Sequence, residues 1–400
     1  MKHEQSSKPV LLLTEGDPWG EPKGGQTTFA KHLLTAFGPK LAVSSHCNDL
    51  SIPKGYWIQR QFKDHSVWFL NRGPVYHGKD KKPLIPARIS AYFRAMLYMR
   101  QIRKKEFSGL LLDSPEMLFA AFPYIWQSIC YRFAGVNNPV ANSRYPWARV
   151  LGHGFEQIFI SCLKRVNPDV MIAAADQDAI EEFFKRTSGK LNRARFFQFP
   201  TRVDTEMFLP MDKNEVRRVL GIPENTKVFV ATGRLCWIKG WDLLLEAFVE
   251  IRKRYADSLL IFVGDGEDHA KLESLSKLLD IYDHIRISGF LPQREVVRYM
   301  NAADVCVVAS HREGWSLAMC EMIACGKPVV STDVSGSRDM VVDGLNGFVV
   351  SKRDPTEYCR KVLGAMELTH ASEHSLFISQ NYALTNLSCA LSSLWPQLKK

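Results

Sequence analysis

The sequence lacks any apolar run approaching the roughly 18–20 residues that a membrane-spanning helix needs. Its 9 cysteines form no C-x-x-C pair, which indicates neither a disulfide framework nor a zinc site. The helix-turn-helix, zinc-finger and RNP patterns of nucleic-acid-binding proteins are also absent. The opening residues, MKHEQSSKPVLLLTEGD, lack a signal-peptide pattern because an acidic residue interrupts a short apolar stretch. We therefore expect a cytoplasmic globular protein that does not bind nucleic acid.

The bulk composition predicts more than one domain and an anionic partner. A chain of 400 residues exceeds the size of one ordinary core, so two domains are expected. The formal net charge is +10, and part of the excess lies at 79–82 (KDKK) and 103–105 (RKK). Phosphate-bearing substrates and anionic lipids are the partners that such a charge favours, although a solvated basic face explains it equally well.

Short apolar runs alternate with helical patterns, which is typical of α/β proteins with parallel sheets. We predict strands in the first half at 10–16, 41–45, 65–71, 109–114, 170–175 and 195–199. In the second half we predict strands at 228–233, 259–266, 285–290, 305–310 and 327–333, forming one doubly wound sheet. We expect two Rossmann-like domains, 1–205 and 206–365, and a helical segment, 366–400, that packs across the domain junction.

The strongest local pattern is SHREGWSLAMCEMIACGKPVV at 310–330, which predicts strand, polar loop, helix, turn and strand. Glu313 ends the loop, and the residues from Gly314 open the helix, where free N–H groups suit an anionic phosphate. Glu321 lies about one and a half turns into the helix, so it can point toward the same cleft. Alternatively, Glu313 only caps the helix and Glu321 is an ordinary solvated residue on its surface. The apolar neighbours of Glu321 make this alternative less convincing.

A second pattern, ATGRLCWIKGWDLLLEAF at 231–248, places two cations after a strand. Gly233 ends the strand, and Arg234 and Lys239 flank a short loop before the next helix. Both cations are well placed to neutralise a diphosphate. Taken alone, an arginine and a lysine in a surface loop are as readily explained by solvation.

Residues 200–350 resemble a family-4 retaining glycosyltransferase of GT-B fold. The resemblance rests on these two motifs and on four further segments: FPTRVDTEMFLP, FVGDGED, SGFLPQREVVRYMNAADVCVVAS and VDGLNGFVV. The resemblance implies that the family's E-x(7)-E element is Glu313 and Glu321, and that its phosphate-binding cations are Arg234 and Lys239. It also implies further donor contacts from two segments. These are Phe290 and Leu291 toward the base, and the N–H groups of Gly314, Trp315, Ser316 and Leu317 toward the diphosphate.

The first half resembles the family more loosely. Gly24 and Gly25 precede a predicted helix and match the family's glycine turn beside the donor phosphates, although a plain strand-to-helix turn has the same pattern. Where many relatives carry a His-Gly pair near the acceptor, this chain has Ala134-Gly135. His153 and Asn138 are the acceptor-side candidates that remain in this region.

The stretch at 84–105 combines apolar and basic residues at helical spacing, as helices lying on anionic membranes do. An ordinary helix with a basic outer face explains the same pattern. Membrane contact would suit a lipid-linked acceptor.

The resemblance implies transfer of a sugar, with retention, from a UDP- or GDP-sugar to a glycan or lipid-linked hydroxyl, without metal or cofactor. The missing signal-peptide pattern leads us to expect the enzyme in the cytoplasm, and the stretch at 84–105 would allow it to associate with the inner face of the membrane. One rival is a GT-B epimerase or phosphorylase acting on the same nucleotide sugar. Another is a nicotinamide-dependent dehydrogenase, against which GDGEDH at 264–269 lacks the third glycine of G-x-G-x-x-G. A binding protein without activity is the third rival.

Overall fold

The computed structural model describes residues 8–21, 24–74, 86–136, 150 and 152–399, without the side chain of His153. The chain divides into two compact units. Unit 1 comprises Met1–Pro200 and Thr385–Lys400, and unit 2 comprises Thr201–Leu384. Within the described ranges, every helix is too short or too polar to cross a bilayer.

Unit 1 is built on one sheet with helices on its faces. Its strands are β1 (Val10–Leu13), β2 (Leu41–Ser45), β3 (Trp57–Phe62), β4 (His65–Asn71), β5 (Gly109–Leu112), β6 (Ile129–Phe133), β7 (Val170–Ala173) and β8 (Phe196–Gln198). Its helices before residue 200 are α1 (Gly25–Phe37), α2 (Ala87–Ile102), α3 (Pro115–Ala121), α4 (Gly152–Val166) and α5 (Gln177–Thr187).

The strand order in unit 1 is β3-β4-β2-β1-β5-β6-β7-β8, and all neighbours are parallel except β3 and β4. The chain starts in the middle, at β1, adds β2 and β4 on one side, and then crosses to β5 on the other side. This reversal creates a crevice at the carboxyl ends of β1 and β5, where doubly wound sheets bind ligands. The buried strands β1 and β5 are the apolar runs that the sequence predicts.

Two strands of unit 1 were not predicted. The strand β3 (Trp57–Phe62) is the antiparallel edge of the sheet, and three consecutive polar residues in its middle leave no continuous apolar run to signal a strand. In β6 the apolar run is interrupted by Arg132, which is nevertheless buried. Its guanidinium lies 4.0 Å from the centre of the Phe29 ring, so the tertiary structure accommodates a charge inside a strand.

Unit 2 repeats the same design with a smaller sheet. Its strands are β9 (Lys227–Thr232), β10 (Ser258–Val263), β11 (Ile285–Ile287), β12 (Val305–Val308), β13 (Val329–Thr332) and β14 (Gly347–Val350). Its helices are α6 (Lys213–Val219), α7 (Trp241–Arg254), α8 (His269–Leu278), α9 (Gln293–Ala302), α10 (Leu317–Ala324), α11 (Ser337–Met340), α12 (Pro355–Met366) and α13 (Ala371–Ser379).

The order in unit 2 is β11-β10-β9-β12-β13-β14, and all pairs are parallel. The switch point lies between β9 and β12, so the segments after these two strands meet at one crevice. All five strands predicted for this half are present. The edge strand β14 was missed, because it has only four residues, begins with a glycine and gives no periodicity of its own.

The last part of the chain is shared between the units. Helix α13 belongs to unit 2, and the last described helix, α14 (Leu387–Leu394), belongs to unit 1. In unit 1 the buried Trp395 donates a hydrogen bond from its indole to Ser128 Oγ at 2.9 Å. The same ring covers Gly109, where a Cβ would lie 2.7 Å from it, so the terminal turn completes the core beside β5.

Unit 2 contains a glycine that no other residue can replace without displacing the backbone. Gly240 lies between the loop after β9 and α7 with φ of 64°, and a Cβ there would lie 1.9 Å from the carbonyl oxygen of Ala309. Gly221 has the same φ of 64°, and a Cβ there would meet no atom within 4 Å. An alanine would therefore suffer the same backbone strain at both positions, but only at Gly240 would its Cβ also clash with a neighbouring atom.

We expect Gly221→Ala to lower the free energy of unfolding by about 1 kcal/mol, the strain of an alanine in left-handed backbone. We expect Gly240→Ala to lower it by roughly 2–4 kcal/mol, because the clash with Ala309 adds to the same strain. Urea unfolding followed by tryptophan fluorescence measures both. An equal loss of unfolding free energy in the two variants would contradict the close approach of position 240 to Ala309.

Candidate functional site

A pocket of about 420 Å³ lies at the switch point of unit 2. Its walls come from the two segments that follow the adjacent strands β9 and β12. Gly233, Arg234 and Lys239 come from the first segment, and Ser310 and Glu313 from the second. The structure thus brings together residues that the sequence placed in two separate motifs.

An ion pair joins the two segments across this pocket. Lys239 Nζ lies 2.6 Å from Glu313 Oε1, and Ser310 Oγ donates to the same oxygen at 2.7 Å. The Glu313 side chain is largely buried and that of Lys239 is about one-third exposed. Low dielectric surroundings strengthen such a pair, and its two hydrogen bonds hold the carboxylate in one orientation. The ammonium group of Lys239 and the carboxylate of Glu313 are therefore held in place at the pocket before any ligand binds.

Arg234 lines the pocket with a different acidic partner. Its Nε donates to Glu267 Oε2 at 2.8 Å, and both side chains are substantially exposed. The sequence pattern had marked Arg234 as a phosphate-binding cation and had not singled out Glu267. An exposed pair of this kind contributes little to stability. The remaining donors of the guanidinium can still reach a ligand.

The start of α10 forms another wall of the pocket. Ser316 is the N-cap, and its hydroxyl accepts a hydrogen bond from the N–H of Met319 at 3.3 Å. The helix begins at Leu317, so the first N–H groups have no partner within the helix and carry the positive end of its dipole. The side chain of Trp315 is buried against Gly336 and Tyr382. Trp315 can therefore offer a ligand only its backbone.

Glu321 lies apart from the pocket lining. It is buried in α10 and hydrogen-bonds to Gln293 at the start of α9. Burial raises its pKa to about 8, and the bond to Gln293 opposes this only in part. Glu313 and Glu321 thus occupy different surroundings, one an ion pair and the other a buried carboxyl that is mostly protonated at neutral pH.

The turn before α9 presents an exposed aromatic ring. Gly289 has φ of 73°, which reverses the chain after β11, and the next residue, Phe290, is 54% exposed. Leu291 is half-buried. Gln293, the partner of Glu321, follows closely, so the structure links the Phe290–Leu291 turn to the second glutamate of α10.

In unit 1 the glycine turn opens α1. Gly24 is the N-cap with φ of 139°, and Gly25 is the first helical residue. A Cβ on either glycine would meet no atom within 4 Å, so both face open space. The backbone of the first turn of α1 is thus accessible to a ligand.

The switch point of unit 1 holds a buried carboxylate that sequence reasoning missed. Asp113 follows β5 and accepts hydrogen bonds from Thr14 Oγ1 at 2.5 Å and from Gln26 Nε2 at 3.1 Å. It lines a pocket of about 560 Å³ with Gln26 and the buried Arg132. Asp113 lay inside a predicted strand, and only the adjacency of β1 and β5 reveals its position at the crevice.

The charges at this crevice perturb one another. Burial raises the pKa of Asp113 to about 6, although Thr14, Gln26 and Arg132 favour its charged form. The neighbouring Glu15 has its pKa raised to about 8 by burial and by the charge of Glu116. Clustered shifts of this kind are typical of functional sites, although structural networks produce them as well.

Two acceptor-side candidates gain no geometry from the structure. Asn138 lies outside the described residues, and of His153 only the backbone, in α4, is described. The sequence holds one D-x-D triplet, and in it the Asp176 side chain caps α5 by accepting from the N–H of Ala179. In the described ranges, no three His, Cys, Asp or Glu side chains come together as metal ligands would.

Two parallel sheets of this design, each with a crevice at its switch point, are the architecture of the GT-B fold. Residues 212–380 match the family described as glycosyl transferases group 1. This match covers less than half of the chain and agrees with the family resemblance of the sequence motifs.

One relative is a D-inositol 3-phosphate glycosyltransferase of Geodermatophilus obscurus. It is 39% identical over 187 residues, which cover 43% of this chain and 41% of the relative. Among solved structures, sucrose-phosphate synthase from Thermosynechococcus elongatus superposes with a TM-score of 0.80 at 18% identity over 98% of this chain and 99% of that one. Anabaena Alr3699/HepE in complex with UDP-glucose superposes with a TM-score of 0.70 at 18% identity over 96% and 100%. The likeness to both structures confirms the GT-B fold.

The buried Glu321 carboxyl generates a prediction about stability. Its folded pKa of about 8 lies above the ordinary 4.5, so between these values the folded chain keeps a proton that the unfolded chain loses. Stability therefore falls as pH rises through that window. We expect Glu321→Gln to remove this loss and to gain roughly 3–5 kcal/mol over the wild type above pH 8.

Thermal unfolding between about pH 4 and pH 9 measures this effect as a difference of a few degrees that grows with pH. Glu246→Gln, an exposed change on α7, is the matched control and should follow the wild type. A constant difference between Glu321→Gln and the wild type at all pH values would contradict the prediction.

Proposed function

We propose that the protein is a retaining glycosyltransferase that transfers a sugar from a nucleoside diphosphate donor to a hydroxyl acceptor. The observation that carries the proposal is the Lys239–Glu313 ion pair in a switch-point pocket beside the start of α10, within the residues that match the group 1 family. A cation, a carboxylate and a helix N-terminus together fit a diphosphate joined to a polyhydroxyl ring.

The diphosphate is the leaving group, and negative charge grows on it as the glycosidic bond breaks. Lys239, Arg234 and the N–H groups at the start of α10 would stabilise this charge in the pocket. These groups supply positive charge where other transferases use a metal ion, so we propose that the reaction needs neither metal nor cofactor. The departing phosphate would itself accept the proton of the acceptor, which accounts for retention without a strong protein base.

The two glutamates would have separate roles. Glu313, held by Lys239 and Ser310, would accept hydrogen bonds from hydroxyls of the transferred sugar. Glu321 would bind the ribose, because a carboxyl with a pKa of about 8 is mostly neutral at pH 7 and can both donate and accept. Phe290 and Leu291, linked to Glu321 through Gln293, would contact the base.

The glycine turn of unit 1, Gly24–Gly25, would add backbone contacts to the donor phosphates. The acceptor side belongs to the unit 1 pocket in this proposal, with Asp113 and Gln26 as groups that can bind hydroxyls. UDP is the first donor nucleotide to test, because Alr3699/HepE was solved with UDP-glucose, and GDP is the second. We propose a glycan or lipid-linked acceptor and a cytoplasmic location at the membrane surface.

The dehydrogenase alternative requires a glycine-rich turn that cradles a dinucleotide. Gly264 and Gly266 instead pack against the neighbouring segment, since Cβ atoms there would lie 1.9 Å from Gly233 O and 2.2 Å from Leu235 O. Packing accounts for both glycines, so they give no support to a nicotinamide site.

Calorimetric titration with UDP, GDP and NAD, followed by a nucleotide-sugar panel assayed for hydrolysis and transfer, tests this function. Binding of NAD alone would favour the dehydrogenase, and conversion of the donor without an acceptor would favour an epimerase. With the donor so identified, we expect Lys239→Ala to lower turnover by roughly 10²–10³, because charge on the leaving diphosphate loses its nearest cation. Lys253→Ala, which removes an exposed lysine of α7, is the control. An unchanged rate in Lys239→Ala would rule out the phosphate role.

We also propose contact with anionic membranes through the outer face of α2. Phe93 and Leu97 lie one turn apart and are 63% and 69% exposed, while Ala91, Ala95 and Met99 form the buried face. The exposed cations Arg100, Arg103 and Lys104 follow along the chain. Exposed apolar side chains flanked by cations are typical of interfacial helices.

We expect the double change Phe93→Ser and Leu97→Ser to reduce binding to vesicles of phosphatidylcholine and phosphatidylglycerol about tenfold, because the inserted apolar area is lost. Vesicle flotation measures this, with pure phosphatidylcholine as the uncharged reference. Phe377→Ser, on α13, removes an equally exposed ring of unit 2 and should leave binding unchanged. Equal flotation of the double variant and the wild type would contradict membrane docking by α2.

A further inference from the structure

An exposed aromatic pair lies beside the donor pocket. The rings of Trp237 and His311 stack with centroids 4.2 Å apart and an interplanar angle of 22°. Trp237 is 59% exposed, so most of its indole faces solvent while one side is supported by the imidazole. We call this pair the Trp237–His311 platform.

The platform is attached to both halves of the Lys239–Glu313 ion pair. Trp237, Ile238 and Lys239 form a single 3₁₀ turn, and His311 lies between the pocket residues Ser310 and Glu313. The backbone N–H of His311 donates to Ile238 O at 2.8 Å, which joins the two segments a second time. Neither ring lines the pocket itself, so the platform lies just outside it, next to the ion pair to which we assign the transferred sugar.

The chemistry of the platform suits an uncharged ring. A large aromatic group gains stability by burial, yet Trp237 lies outside the core of unit 2. Burial and the charge of Arg353 lower the pKa of His311, so the imidazole is neutral at neutral pH and packs as a flat aromatic group. The face of an indole carries negative partial charge and attracts polarised C–H groups, such as those on one face of a pyranose.

We propose that the sugar ring of the nucleotide-sugar donor stacks on the Trp237–His311 platform while Glu313 binds its hydroxyls. The inference rests on the proposed function and adds a specificity-determining contact to it. Stacking on an aromatic face distinguishes sugars by which of their faces is apolar, so the platform selects the sugar and leaves the nucleotide to other residues.

Calorimetric titration of the full chain with two probe pairs tests the proposal. UDP-glucose is compared with UDP, and GDP-mannose with GDP, and the pair that the wild type binds is used for the variants. We expect Trp237→Ala to weaken binding of the nucleotide sugar about 5–10-fold, within the range of aromatic contacts, and to leave binding of the free nucleotide unchanged. Trp237→Phe should keep most of the affinity because it keeps a flat face.

Phe377→Ala is the control for loss of an exposed ring, and thermal unfolding checks that each variant is folded. An equal loss for nucleotide and nucleotide sugar would overturn the proposal in favour of stacking with the base. Unchanged affinities for both, in a variant that still binds them, would overturn it as well. If the wild type binds neither pair, the proposed function itself fails, and the platform proposal fails with it.

Discussion

The ion pair between Lys239 and Glu313 is the interaction on which the candidate site of unit 2 depends. It closes the crevice at the point where the strand order reverses, and it couples the loop after β9 to the loop after β12. Because Ser310 donates to the same carboxylate oxygen, the anion has one orientation, and the cation is held beside the start of α10. The backbone bond from His311 to Ile238 and the close approach of Gly240 to Ala309 tighten the same contact between segments.

The two units share one topology, but the charged groups at their switch points differ. At the switch point of unit 2, the pocket combines Lys239 and Arg234 with acidic partners that a ligand can compete with. At the switch point of unit 1, Asp113 and Glu15 are buried and have raised pKa values. A diphosphate suits the first arrangement and hydroxyl groups suit the second. Fold alone would not distinguish these roles, because the side chains after the strands carry them.

Much of the fold could be predicted from the sequence, because buried parallel strands are short continuous apolar runs. All five strands predicted in unit 2 are present, whereas β3, β6 and β14 were missed. Each lacks a clear apolar run, since β3 has three consecutive polar residues, β6 contains the buried Arg132 and β14 has only four residues beginning with a glycine. The Glu313 motif and the Arg234–Lys239 motif were recognisable because each lies within a few residues of chain. Asp113, by contrast, carries no local signal that separates it from the strand it follows.

By itself, the sequence determined which residues are available to the site: a glutamate before a helix start, two cations after a strand and glycines at the turns. Periodicity and local motifs extend over only a few residues, so they can be recognised in a single sequence. Only the tertiary structure decided which of these residues meet. It paired Lys239 with Glu313, turned Arg234 to Glu267, and buried Glu321 beside Gln293. These contacts follow from the strand order, because it brings segments distant in sequence to one edge of a sheet.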